Sequence, residues 1–173
     1  VSRVLVLGGS RSGKSAHAEA LVAGAGEVTY LATSAPAAGD VEWAQRVAAH
    51  RARRPAGWAT LETTAPDDLR RPGTLLVDSV TTWVAALMDQ AGVWTDEPGA
   101  PDRLARRCDD LLDAWTATPA HVVAVSDEVG LGVVPETRSG RLFRDTLGSV
   151  NQRLAGSADE VWFVVAGLPL RLR

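Results

Sequence analysis

RVLVLGGSRSGKS, residues 3–15, decides the fold. Residues 3–8, RVLVLG, read as a short buried strand. Residues 8–15 then match G-x-x-x-x-G-K-[ST] at every fixed position, with Gly8, Gly13, Lys14 and Ser15 at the fixed places and Gly9, Ser10, Arg11 and Ser12 between them. A strand before and a helix after is the context this loop needs. Its backbone N–H groups can wrap a phosphate, aided by the positive end of the following helix. Lys14 is the only lysine among the 18 basic residues; the others are arginines. A compact, flexible ammonium reaches the β- and γ-phosphates in a space that a planar guanidinium fork fits less well. The Ser15 hydroxyl suits Mg²⁺.

Outward from this loop the pattern repeats. Helical sequence runs from about Ser15 to Val22, and VTYLAT (28–33) is a second strand. Asp40 is a helix N-cap for a segment running to about Arg54, with Pro55 beyond its end. WATLET (58–63), TLLVDS (74–79), HVVAVS (121–126) and EVWFVVAG (160–167) are further strands. LPLRLR (168–173) returns as a short antiparallel one. Helices are expected over 81–90, 103–116 and from about 137 to Ala155, the last with Leu142, Phe143, Leu147, Val150 and Leu154 inward. GVWTDEPGAPD (92–102) and EVGLGVVPE (128–136) read as loops.

Apolar strands alternating with amphipathic helices predict one α/β domain over 1–173, with a mostly parallel central sheet and helices on both faces. Ligands of such sheets bind beyond the carboxyl ends of the strands. The unusual residues fall there: Thr33-Ser34 after the second strand, Glu62 in the third, Asp78-Ser79 after the fourth, Asp127-Glu128 after the fifth. Asp78, ending an LLVD strand, suits a carboxylate that holds magnesium. It equally suits a cap for the next helix.

Composition bounds the partners. The chain is 46% hydrophobic and 23% charged, with net charge −3 and a pI near 5.6. That argues against a dedicated nucleic-acid binder. No apolar run approaches the roughly 18 residues of a membrane span. The start of the chain passes straight into a strand and a Gly-rich turn, unlike a signal peptide. The single Cys108 cannot form an internal disulfide. A cytoplasmic protein is the economical reading. The six tryptophans read as core or interface area.

VEWAQRVAAHRARRP (41–55) is the second informative stretch. On a helix, Arg46, His50 and Arg53 or Arg54 share one face, with Arg51 adjacent. Neighbouring guanidinium groups lower a histidine's pKa and favour its neutral, nucleophilic form. The same arginines would hold phosphate oxygens. This suits a histidine that attacks phosphorus; a solvated basic helix face fits the same pattern. His17 and His121 read as packing and structural residues.

With these segments in place, the chain resembles the bifunctional adenosylcobinamide kinase/adenosylcobinamide-phosphate guanylyltransferases of cobalamin biosynthesis. The resemblance rests on GGSRSGKSAHAEAL (8–21), YLATS (30–34), RVAAHRARRPAGW (46–58), LLVDSVTTWV (75–84), SDEVGLGVVPETRSGRLFRDTLGSVNQRLA (126–155) and ADEVWFVVAGLPLRL (158–172). The phosphate loop is common to many proteins; the block from Glu128 to Gln152 is far more specific.

The resemblance implies a RecA-like phosphate-loop NTPase fold and a homotrimer. It implies phosphorylation of adenosylcobinamide by ATP or GTP, then transfer of GMP from GTP through a guanylylated histidine, matched by His50. It assigns the nucleotide site to Gly8, Gly9, Ser10, Arg11, Ser12, Gly13, Lys14 and Ser15, to Thr33, Ser34 and Ala35, to Arg51, Arg53 and Arg54, and to Glu62 and Asp78. Ser15 and Asp78 would meet Mg²⁺. The chain departs from the family pattern at Ala49, where some members have a second histidine. It departs also at Asp78, where some have glutamate, and at Asp127, where many have asparagine.

Two other readings stay open at this point. One is a phosphate-loop kinase for another small molecule. The other is a nucleotide switch or RecA-like DNA partner, disfavoured by the acidic pI and the lack of a basic, aromatic strand-binding surface.

Overall fold

The computed structural model describes residues 1–34, 55, 57–95 and 97–173. The expected helix over 40–54, with Arg46, His50, Arg51, Arg53 and Arg54, lies outside the described residues, as do Ala35 and Trp43.

Seven strands form one sheet: β1 (Ser2–Gly8), β2 (Val28–Ala32), β3 (Ala59–Glu62), β4 (Thr74–Asp78), β5 (His121–Asp127), β6 (Glu160–Val165) and β7 (Leu168–Arg171). Their order is β3-β2-β4-β5-β1-β6-β7. The first six are mutually parallel, and β7 turns back antiparallel on β6. The helices are α1 (Lys14–Val22), α2 (Val80–Ala91), α3 (Ala100–Thr116) and α4 (Arg138–Ser157). A 3-10 turn over Pro66–Arg70, which the sequence reading left within a connection, precedes β4.

Strand alternation builds two cores. In β1, Val4 and Val6 face α1, together with Tyr30, Leu76, Val123, Val125 and Val164. Leu5 faces the other way, into the larger core that α2, α3 and α4 share with Leu75, Val77, Val122 and Ala124. Apolar residues on both strand faces are what a sheet covered on both sides requires. Each such side chain removed from water contributes about 1.5–3 kcal/mol. Trp83 and Trp115 fill the larger core. On α4, Leu147, Val150 and Leu154 are buried as expected, with Leu142 and Phe143 packed partly against them.

Helix α3 starts at Ala100, three residues before the expected Arg103. Gly99 takes φ 74° immediately before it and Pro101 lies in its first turn, so the chain enters the helix through two residues that read as loop.

This order fixes where a ligand can sit. The connection leaving β1 runs through α1 toward β2 on one side, whereas β5 leads through α4 to β6 on the other. The carboxyl ends of β1 and β5 therefore flank the switch point of the sheet, where a crevice opens.

Candidate functional site

The phosphate loop spans that switch point. Gly8 ends β1 beside Asp127 of β5 and Val164 of β6. Gly8 has no room for a side chain: a Cβ there would stand 2.7 Å from the Val164 carbonyl oxygen. Gly13 takes φ 94°, and a Cβ on it would lie 3.2 Å from Gly167 Cα. Those two glycines let the backbone close into a cradle. The Gly167 N–H donates to the Ser12 carbonyl at 2.8 Å, and the Glu128 N–H donates to the Gly8 carbonyl at 3.1 Å. The β6–β7 turn and the start of the 128–136 loop thus brace the cradle through its two ends.

Lys14 begins α1 and reaches back over the loop. Its Nζ donates to the Gly9 carbonyl at 3.1 Å and forms an ion pair with the Asp127 carboxylate. Ser10 and Arg11 are exposed, Ser15 is half-buried, and the Ser12 hydroxyl is buried.

Asp127 is itself held on both sides. Its N–H donates to Thr81 Oγ1 at 2.8 Å, and its carbonyl accepts from Asn151 Nδ2 at 3.0 Å. Asn151 is a buried polar residue on α4, and its Oδ1 accepts from Ser126 Oγ at 2.7 Å. A buried amide satisfied in this way fixes helix against strand. The sequence alone assigns no role to Thr81 or to Asn151, which lies in the family-specific block. A single asparagine at an inward helical position, VNQ at 150–152, was the available signal.

The remaining residues line the same edge. Glu62, Ala32, Asp78 and Val125 are in register across β3, β2, β4 and β5. Tyr30 Oη donates to Asp78 Oδ2 at 2.6 Å, through a tyrosine the sequence reading had passed over. The helix cap weighed for Asp78 belongs to Ser79, whose Oγ accepts from the Thr82 N–H at 3.3 Å. That leaves Asp78 outside the cap. The Thr33 hydroxyl donates to the Ser79 carbonyl at 2.6 Å and accepts from the Ser79 N–H at 3.0 Å. Thr33 therefore ties the end of β2 to the β4–α2 turn. Ser34 follows it, half-buried. Glu128 Oε1 accepts from the Gly130 N–H at 2.6 Å, within its own loop.

The other two histidines pack. His17 meets Trp162 edge-on, with ring centroids 4.9 Å apart, and burial lowers its pKa toward the neutral form. His121 Nδ1 lies 2.5 Å from Ser2 Oγ at the opposite end of the sheet.

Ser15 and Asp78 offer oxygen donors, the chemistry Mg²⁺ prefers. Among the described residues no three His, Cys, Asp or Glu side chains cluster to cage an ion.

Comparison with known proteins decides the family. Residues 4–172 match the family model of cobinamide kinase / cobinamide phosphate guanyltransferase. The chain belongs to this family. It is 44% identical to the bifunctional adenosylcobalamin biosynthesis protein CobU of Salmonella typhimurium, over 98% of this chain and 99% of that protein. It is 40% identical to CobU of Escherichia coli, over 98% and 99% of the two chains. To the bifunctional protein CobP of Pseudomonas aeruginosa it is 41% identical, over 99% and 97%. Among solved structures, the ATPase of a type III secretion system superposes with a TM-score of 0.60 at 16% identity, covering 98% of this chain and 56% of that one. At that identity the likeness concerns the fold alone.

Proposed function

We propose that this chain phosphorylates adenosylcobinamide with ATP or GTP and then transfers GMP from GTP onto that phosphate, giving adenosylcobinamide-GDP and pyrophosphate. The observation that carries the reading is the Lys14-centred phosphate loop at the sheet's switch point, in a chain that matches bifunctional relatives along nearly their whole length.

In the kinase step the substrate hydroxyl attacks the γ-phosphorus and a nucleoside diphosphate leaves. The backbone amides of Gly8 to Ser15 orient the tail, and the Lys14 ammonium offsets charge that develops on the transferring group. In the guanylyl step neutral His50 attacks the α-phosphorus, the bond to pyrophosphate breaks, and a phosphoramidate forms. The substrate's phosphate oxygen then displaces His50 and takes the GMP. Dividing one transfer into two is covalent catalysis. Arg51, Arg53 and Arg54 hold phosphate oxygens during this step, and Thr33, Ser34 and Ala35 belong to the nucleotide site. Glu62 belongs to the nucleotide site. Ser15 and Asp78 would hold Mg²⁺, which supplies positive charge on the phosphate oxygens. One domain over 1–173 serves both reactions, in a cytoplasmic homotrimer; light scattering behind size exclusion should give three chains, and a monomer would contradict that assembly.

The test is product analysis with adenosylcobinamide, GTP and Mg²⁺. His50→Ala should still yield adenosylcobinamide phosphate and lose adenosylcobinamide-GDP. Full transfer by that variant would sink the role of His50. Phosphorylation of a nucleoside but not of adenosylcobinamide would instead favour a kinase for another small molecule.

A further inference from the structure

We propose that Asp127 is a positioning residue that makes occupancy of the phosphate loop depend on a divalent cation. The inference rests on the nucleotide-binding reading above and adds a role for a residue that reading leaves unassigned.

Lys14 has three N–H donors. In the loop two acceptors are in place, the Gly9 carbonyl at 3.1 Å and the Asp127 carboxylate. The paired side chains are 12% and 28% exposed, so the pair is shielded from much of the solvent screening that weakens surface ion pairs. Asp127 cannot retreat as a unit. Its backbone is bonded through both N–H and carbonyl, and its Cα is in register with Gly8.

A phosphate tail in this cradle must take N–H donors from Lys14. Sharing the ammonium with phosphate oxygens weakens its hold on the Asp127 carboxylate, which then stands beside oxygens of the same sign. Separating a partly buried pair and juxtaposing like charges both oppose binding. The neighbouring acids do not relieve this. Asp78 accepts from Tyr30 and Glu128 from Gly130. Along this edge the described residues present Glu62, Asp78, Asp127 and Glu128, against Lys14 and Arg11 of the loop. A cation carried on the tail offsets both penalties. Asparagine at 127 would incur neither and would depend less on the cation.

The test is affinity rather than turnover. Titration calorimetry with a non-hydrolysable GTP analogue, in Mg²⁺ and in EDTA, is compared for the wild type and Asp127→Asn. The wild type should lose much of its affinity in EDTA. Asp127→Asn should bind the metal-free analogue about tenfold more tightly than wild type, with far less change in Mg²⁺, a typical size for coupling between two bound species. A merely structural role would shift both conditions equally, and that result would overturn the proposal. Asp127→Ser removes the charge with a smaller side chain and should show the same reversal; loss of affinity in both conditions for both variants would also overturn it. If neither wild type nor variants bind the analogue under any condition, the nucleotide-binding reading falls and takes this one with it. An Asp127 failure alone would leave wild-type binding intact.

Discussion

Two regions of this molecule invite a ligand in different ways. Between α3 and α4 lies a groove of about 590 Å³, with Leu104, Cys108, Leu142 and Val150 among its lining residues. At the carboxyl ends of β1 and β5 lies a polar crevice built on backbone amides. The groove has volume, and two of its polar lining residues pair with each other: Arg153 Nη2 donates to Asp109 Oδ1 at 2.8 Å. Its one thiol, Cys108, is pushed up in pKa by burial, away from the reactive thiolate. The crevice brings unlike groups together instead. An ammonium from α1, carboxylates from β4 and β5, a phenol from β2, and the hydroxyls of Thr33 after β2 and of Thr81 in α2 line this edge. Each is held by backbone that neighbouring elements fix. Volume measures where something could fit; convergence of fixed, unlike groups marks where chemistry can be done.

The largest expected effect attacks the crevice at its centre. Lys14→Ala should lower both phosphorylation and guanylyl transfer by about 100-fold or more, the order seen when a transition-state charge partner is removed. Product formation with adenosylcobinamide and GTP reads this. Unchanged turnover would mean the chemistry is elsewhere and break the comparison outright.

The groove supplies the converse. Leu104→Ala should cost about 2–4 kcal/mol of stability, because a buried side chain is replaced by a cavity. Urea unfolding measures that loss. The folded variant should keep GTP affinity within about twofold, since distant sites act independently. A large fall in affinity would show that the two regions are coupled.

The smallest effect concerns pH at His17. Burial lowers its folded pKa, so the unfolded chain takes up its proton first as pH falls. Stability from this residue is therefore present at neutral pH and lost below the ordinary histidine range. His17→Gln should flatten that part of the urea midpoint against pH. An unchanged slope would remove His17 from the acid sensitivity.

Most of the fold was legible because its signals are local. Each strand from RVLVLG to EVWFVV is an apolar run bounded by turn residues, and every expected strand appears within two or three residues of its expected bounds. The phosphate loop was legible for the same reason, as eight consecutive residues state it. The helix boundary at α3 was missed because Gly99 and Pro101 read as loop until their place in the first turn is known. The Lys14–Asp127 ion pair, the Tyr30–Asp78 bond and the Asn151 bracket were not legible. Their partners are far apart in the chain and meet only once β4 lies beside β2, β5 lies beside β1, and α4 packs on β5. A motif states which group is present, and strand order decides what that group touches. His50 and the arginines around it fall outside the described residues, so their roles stand on the sequence pattern and the family resemblance.

Intact mass after incubation with GTP and Mg²⁺, beside His50→Ala, tests the central claim most directly. Wild-type protein should gain the mass of one GMP, and the variant should gain none. GTP binding with no mass gain in the wild type, or an equal gain in His50→Ala, would contradict transfer through that histidine.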